Sequence, residues 1–312
     1  MSRQSVTLVG FLILALGVCE SPLMAQGRLP IIDMHMHARI AVQRSGDGWI
    51  VPPPCDPQPC ESAPARFTQD EAILTGTLEA MDRHNIVLGF LGDLAARVDR
   101  WLDVVPQRSR FIAATFPAGA VEEVDTKIEV LRQRARLGRL QGLGEIGTQY
   151  EGIAPNDPRL DAYFRLAEEL DIPVLIHTAG LGAHVPSFRT ALGSPLLLED
   201  VVLRHPRLRI SIENAGYPYL DDAIALMTQY PQVYADVSTI TWIVPRSAFY
   251  RYLRALVDAG LGKRIMFGSD QMEWPEVIDR AVEAIEEADF LSTEQKRDIF
   301  YNNAARFLRL ER

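Results

Sequence analysis

The sequence predicts an α/β fold, a single-domain (β/α)8 barrel of the TIM type. Three observations lead there. Eight short apolar, β-branched runs alternate with longer helical patterns over about 280 residues, the count and size of such a barrel. The runs are almost continuously hydrophobic, as parallel strands covered outside by helices should be. An open doubly wound sheet is the alternative. It is weakened because no Gly-rich phosphate turn follows the first run.

The elements follow in order. "PIIDMHM" at 30–36 is the first strand run, and a Pro/Gly-rich insert at 39–67 reads as a loop over the barrel mouth. "TQDEAILTGTLEAMDRH" is a helix with Thr68 as its cap and an acidic first turn. "NIVLGFLG" at 85–92 and "RFIAATF" at 110–116 are the second and third strands. "VEEVDTKIEVLRQRARLG" is helical and stops at Gly138. "LQGLGEIG" at 140–147 is the fourth strand. The helix "DPRLDAYFRLAEELD" follows, its Asp-Pro start suiting a first turn. Strands at 172–178, 208–214, 232–238 and 264–270 alternate with helices at 195–204, 218–229, 246–259 and 275–287. "STEQKRDIFYNNAARFLRL" closes the chain as a capped helix.

Composition narrows the function. The 312 residues are 47% hydrophobic and 23% charged, with a net charge of -9. No basic run or aromatic-basic interleaving is present, which excludes a nucleic-acid surface and leaves a small-molecule substrate as the expected partner. A homo-oligomer is left open. Residues 1–25 have the layout of a secretory signal peptide: Arg3, an apolar stretch from Val6 to Val18, then small residues ending at Ala25. An uncleaved anchor ranks second because the stretch is short. The mature chain is thus expected outside the cytoplasm, periplasmic or secreted, with no stable membrane span and with the barrel over 31–312. Cys19 leaves with the leader, and Cys55 and Cys60 are placed to close a small loop disulfide.

Chemistry in such a barrel sits where the strands end. Strand one ends in His35 and His37, which by alternation share a face with Asp33, while Met34 and Met36 take the other. Strand four ends in Glu145, strand five in His177, strand six in Glu213-Asn214 and strand eight in Asp270. If Asn214 faces the site, alternation turns Glu213 away. Three imidazoles and two carboxylates (His35, His37, His177, Glu145 and Asp270) make a site for a divalent first-row metal, zinc first. Such an ion lowers the pKa of bound water and supplies hydroxide, with Asp270 as the proton acceptor. His84 and His205, at helix ends, read as structural. His184, Trp242, Arg246 and Trp274 lie in loops after strands five, seven and eight and are candidate substrate contacts.

"IIDMHMH", "GLGEIG", "PVLIHT" and "IMFGSD", in this order, resemble the metal-dependent amidohydrolase superfamily. The nearest branch is the amidohydrolase-related group that includes aminocarboxymuconate-semialdehyde decarboxylase. The resemblance implies His35, His37, His177 and Asp270 as metal ligands. "GEIG" is similar to the strand-four motif of TatD-like members, whose Glu bridges two metals, a role that would fall to Glu145. One ion is therefore expected to be held firmly, with room for a second. The chain departs from the pattern at strand six, where "ENAGYP" puts Asn214 in place of a usual histidine. Asn cannot shuttle a proton, but it can donate a hydrogen bond to a carbonyl oxygen, so Asn214 joins Asp270 as a candidate catalytic residue. The expected function is exported, metal-dependent hydrolysis of an amide, lactone or ester. The alternatives are non-oxidative decarboxylation of an aromatic or unsaturated acid, and an inactive barrel that only binds.

Overall fold

The computed structural model describes residues 28–39, 70–105, 107–180 and 185–310. The leader, Cys55, Cys60, His184 and nearly all of the insert lie outside the described residues.

Eight parallel strands form the barrel: β1 (Ile31–His37), β2 (Ile86–Gly92), β3 (Phe111–Ala114), β4 (Leu143–Ile146), β5 (Val174–His177), β6 (Ile210–Glu213), β7 (Val233–Asp236) and β8 (Ile265–Met266). They pair as two arcs, β1-β2-β3 and β4 through β8. Single bridges close the ring, Ala114 to Gly142 on one side and Met36 to Gln271 on the other. At the second seam Met34 N donates to Phe267 O and His37 N to Gln271 O, each at 2.9 Å.

The helices cover the outside: α1 (Asp70–His84), α2 (Ala95–Val104), α3 (Val124–Arg136), α4 (Asp161–Leu170), α5 (Glu199–Arg204), α6 (Leu220–Gln229), the short α7 (Ile240–Ile243), α8 (Arg246–Leu256), α9 (Val277–Glu286), α10 (Thr293–Arg297) and α11 (Asn303–Leu308). Helix α2 is absent from the expected elements, although its signal is present. Val98, Trp101, Leu102 and Val105 are buried at helical spacing and make one apolar face. A large apolar layer lies between strands and helices, and a smaller one fills the barrel. In the smaller layer Ile32, Met34, Phe90, Ile112, Leu175 and Met266 pack with Phe307 of α11.

Three register shifts break simple alternation, the first where β1 takes one step from Ile31 to Ile32 while β2 takes two, from Ile86 to Leu88. From Asp33 to Met36 β1 takes three steps while β2 takes two, from Gly89 to Leu91. From Leu143 to Ile146 β4 takes three steps while β5 takes two, from Val174 to Ile176. Each extra residue is a bulge that reverses which face the following side chains take. Ile32 and Met34 are inside before the bulge in β1, and His35 and His37 are inside after it. The expectation that Asp33 shares their face is therefore corrected. In β4 the bulge brings Glu145 inward between the outward Leu143 and Ile146.

Candidate active site

The inward residues at the strand ends meet in one buried cluster. His35 Nε2 lies 3.2 Å from His37 Nε2 and 3.5 Å from Asp270 Oδ1. His37 Nε2 lies 3.1 Å from Asp270 Oδ1 and 3.5 Å from Glu145 Oε2. Glu145 Oε1 is 2.5 Å from His177 Nδ1. All five predicted metal residues thus converge. A tetrahedral ion with bonds of about 2.0–2.1 Å holds its donors about 3.3 Å apart. The separations among His35, His37, Asp270 and Glu145 bracket that value. Asp270 Oδ1 is buried and accepts no hydrogen bond. The donor set and this vacant acceptor fit a divalent cation.

Glu213 belongs to the cluster, which alternation from Asn214 had denied. It is 1% exposed, with Oε1 3.6 Å from His35 Nε2. The chain bends immediately after it. Asn214, Ala215 and Gly216 all have positive φ, 57°, 48° and 73°. This left-handed turn suits Asn and Gly and costs Ala215 about 1 kcal/mol. It swings the Asn214 side chain toward β7. There Asn214 Oδ1 accepts from Ser238 Oγ and Thr239 N, each at 3.1 Å, while its Nδ2 is buried and donates to nothing.

A second layer of polar groups steers the first. Ser238 Oγ lies 2.9 Å from His35 Nδ1 and also bonds Asp236 Oδ1. Asp236 is fixed by the Asn214 amide at 3.2 Å and the Ser238 amide at 3.3 Å. Such outer partners orient a histidine and set which ring nitrogen faces inward. Thr239 Oγ1 donates to Asp270 Oδ2. Tyr150 OH sits 3.3 Å from both ring nitrogens of His177, and Gln149 Nε2 donates to His177 O at 2.6 Å. Asp33 Oδ1 accepts from the amides of His35 (3.1 Å) and Ser269 (2.9 Å), tying β1 to the end of β8. Sequence reasoning missed Glu213, Asp236, Ser238, Thr239 and Tyr150. The polar end of "QVYADVS" was the available signal for strand seven.

Charge explains why a cation suits the cluster. Burial pushes the His35 imidazole down, but the charges of Glu213 and Asp270 and the bond to Asp236 outweigh it and hold His35 well above its ordinary value. Burial, with the charges of Glu145, Asp236 and Asp270, holds the Glu213 carboxyl well above the usual range against the pull of His35. Burial also opposes ionisation of Glu145, yet His177 and then His37 lower it. Asp270 is lowered against burial by His35 and His37. Several buried carboxylates thus crowd a few imidazoles, an arrangement whose charge a divalent ion would balance. Asp33 is pushed up to about 7 by burial, against bonds from Ser269 and His35.

The proposed substrate contacts are placed differently. Trp242 is buried, and its Nε1 donates to Ser269 O at 2.8 Å, bracing the chain before Asp270. Trp274 is 1% exposed and packs in the outer apolar layer. Arg246 lies over the Tyr250 ring at 5.7 Å and 4.0 Å from Glu283, between α8 and α9. His84 bonds Asp279 at 2.6 Å and His205 bonds Asp161 at 2.9 Å, away from the cluster.

A closed parallel barrel with a buried histidine–carboxylate cluster at its strand ends is the class of protein that fold and site define. The chain belongs to the amidohydrolase family, whose model matches residues 32–310. Among solved structures it is similar to an uncharacterised TIM-barrel protein from Bordetella bronchiseptica (TM-score 0.63, 16% identity, covering 90% of this chain and 99% of that one). A probable 2-pyrone-4,6-dicarboxylic acid hydrolase from Acinetobacter baumannii gives a TM-score of 0.59 at 13% identity, covering 89% and 98%. A 2,6-dihydroxybenzoate decarboxylase from Rhizobium gives 0.56 at 16%, covering 91% and 99%. A curated relative, protein fluG of Emericella nidulans, is 26% identical over 106 residues, 34% of this chain and only 12% of that protein.

Proposed function

We propose that this chain is an exported, metal-dependent hydrolase that cleaves an amide, lactone or ester bond of a small organic substrate. The observation that carries the reading is the convergence of His35, His37, Glu145 and Asp270 at donor separations suited to one divalent ion, zinc first, with His177 hydrogen-bonded to Glu145 beside them. His35, His37, Asp270 and Glu145 would hold it, with His177 oriented by Glu145 and Tyr150. When bound, such an ion acidifies water and polarises a carbonyl.

The chain's own groups divide the remaining work. Water adds to the carbonyl carbon, and its proton passes to the carboxylate of Asp270, whose Oδ2 is held by Thr239. Asp270 then returns that proton to the leaving amine or alkoxide as the carbon–heteroatom bond breaks. Asn214 Nδ2, buried and without an acceptor, is the donor this reading assigns to the oxygen on which charge develops.

The similarity to a probable pyrone dicarboxylate hydrolase supports a carbonyl substrate such as a lactone. The decarboxylase neighbour supports the competing reaction. Metal-stripped and metal-restored protein, offered lactones, esters, amides and aromatic acids, tests the reading. Metal-dependent release of a carboxylate with uptake of water is expected. Release of carbon dioxide from an aromatic acid would replace the reading with decarboxylation. Saturable binding with no turnover would make the chain a binding barrel.

A further inference from the structure

A cavity of about 540 Å³ lies at the N-terminal ends of β5, β6 and β7, the end of the barrel opposite the histidine–carboxylate cluster. Small-molecule sites run from about 300 to 1,000 Å³, so an organic ligand fits. Three loops and the last helix build it. Asp171 ends α4, Arg209 directly precedes β6, and Tyr234 lies in β7. Arg306 and Phe307 come from α11, and Arg309 follows it. The Tyr234 ring packs on Phe307, with centroids 5.1 Å apart, and gives the cavity an aromatic wall.

Charge sets this cavity apart from the chain as a whole, whose net charge is -9. Arg207, Arg209, Arg306 and Arg309 line it with only two carboxylates, Glu168 and Asp171. Four guanidinium groups against two carboxylates leave two positive charges in excess. Both carboxylates are engaged. Asp171 accepts from Arg309 at 2.5 Å and from Arg209 at 3.3 Å, and Glu168 accepts from the Arg207 amide at 2.9 Å. Arg209 also donates to Phe307 O at 2.6 Å, which fixes its side chain, 12% exposed, in the wall. Arg306 donates to Lys263 O at 3.0 Å and to Asn303 Oδ1. The Arg207 side chain is 79% exposed and stands 3.6 Å from Glu168, beyond hydrogen-bond reach. Guanidinium forks match carboxylate and phosphate oxygens in pairs, and a concave wall of one sign concentrates counter-charge. We propose that this cavity binds a small organic dianion, a dicarboxylate or a phosphate monoester, with Arg207 and Arg306 pairing its charges and Tyr234 against its carbon skeleton. The inference is independent of the metal-dependent reading, because the length of the strands separates the two sites.

Isothermal titration calorimetry on the metal-loaded full chain at low salt tests it, with three probes: isophthalate, inorganic phosphate and uncharged isophthalamide. The wild type is expected to saturate with a charged probe at a Kd of roughly 1 mM or tighter, and its Tm to rise with that probe's concentration. The tighter of the two charged probes tells a carboxylate ligand from a phosphate one. The Arg207→Ala/Arg306→Ala double variant, changed at two exposed side chains remote from the metal cluster, is expected to lose at least ~10-fold in affinity. Saturation by neither charged probe overturns the proposal, as does equal binding of isophthalamide. Unchanged affinity in the double variant also overturns it, by placing the probe elsewhere. All of these outcomes leave the hydrolase reading standing. If circular dichroism shows that the double variant does not fold, Arg207→Glu replaces it. The same loss of affinity is expected there, and unchanged affinity overturns the proposal.

Discussion

The two carboxylate oxygens of Asp270 have unlike surroundings. Oδ2 takes the Thr239 hydroxyl, and Oδ1 faces His37 and His35. An amide at this position keeps the shape but cannot accept a proton. Asp270→Asn is therefore expected to lower kcat by ~10²- to 10⁴-fold while metal content, held by the histidines and Glu145, stays near that of the wild type. Steady-state kinetics beside elemental analysis checks both halves, and near-normal turnover would end Asp270's role as the proton acceptor. His177→Ala removes the partner of Glu145 Oε1 and frees that carboxylate to move. It is expected to lower metal content and turnover together, read in the same two assays.

Elements act by bringing such residues to one place. Gly268 lies between β8 and Asp270, and a Cβ there would stand 3.0 Å from the Cβ atoms of both His35 and Ser238. Gly268→Ala is expected to push these side chains apart. It should cost ~1–3 kcal/mol by overpacking and weaken metal binding, seen as a lower Tm and a right-shifted metal titration. Normal affinity in that variant would mean the seam is looser than its contacts indicate. On the outer layer, Asp99 of α2 accepts from Arg134 at 2.7 Å and 2.9 Å and from Arg139 at 3.0 Å. The Arg134 hydrogen bond, with Arg139 assisting against burial, holds the Asp99 carboxyl below its usual range. A lowered carboxylate stabilises the fold above its unfolded pKa, about 3.9, and the benefit fades as pH falls through the lower folded value. Asp99→Asn is expected to cost ~1 kcal/mol at pH 7, and the gap to wild type should begin to shrink below about pH 4 and close only once the pH is under the lowered folded value. Urea melts at pH 7 and at a series of pH values below about 4 check it. A gap that persists in acid would assign the loss to packing instead.

For the whole chain, the barrel supplies rigidity and the loops supply choice of substrate. No helix among the described residues is long and apolar enough to cross a membrane. The proposed export rests on the layout of the first 25 residues. Protein recovered from the exported fraction is expected to begin at Gln26, read by N-terminal sequencing, and its Cys55 and Cys60 to be joined, read by mass before and after reduction. An intact Met1 in that fraction would refute cleavage, and two free thiols would refute the staple.

Much of the molecule was legible from residue order. Strand and helix periodicity are local properties, so eight apolar runs with polar ends were enough to place His35, His37, Glu145, His177 and Asp270 at one mouth. Helix α2 could have been read from the spacing of Val98, Trp101, Leu102 and Val105. The direction of each side chain was another matter. Alternation assumes a regular ladder, and a bulge exists only relative to the partner strand, as between Asp33–Met36 and Gly89–Leu91. The turn through Asn214, Ala215 and Gly216 likewise sends Asn214 to Ser238 and leaves Glu213 facing His35. Asp236 and Ser238 meet His35 across about 200 residues of chain, a closeness that follows from barrel closure and not from any local pattern. Residue types and their order thus set which chemistry the chain carries. Pairing, bulges and closure set which of those residues face one another, because these depend on contacts between segments far apart in the chain.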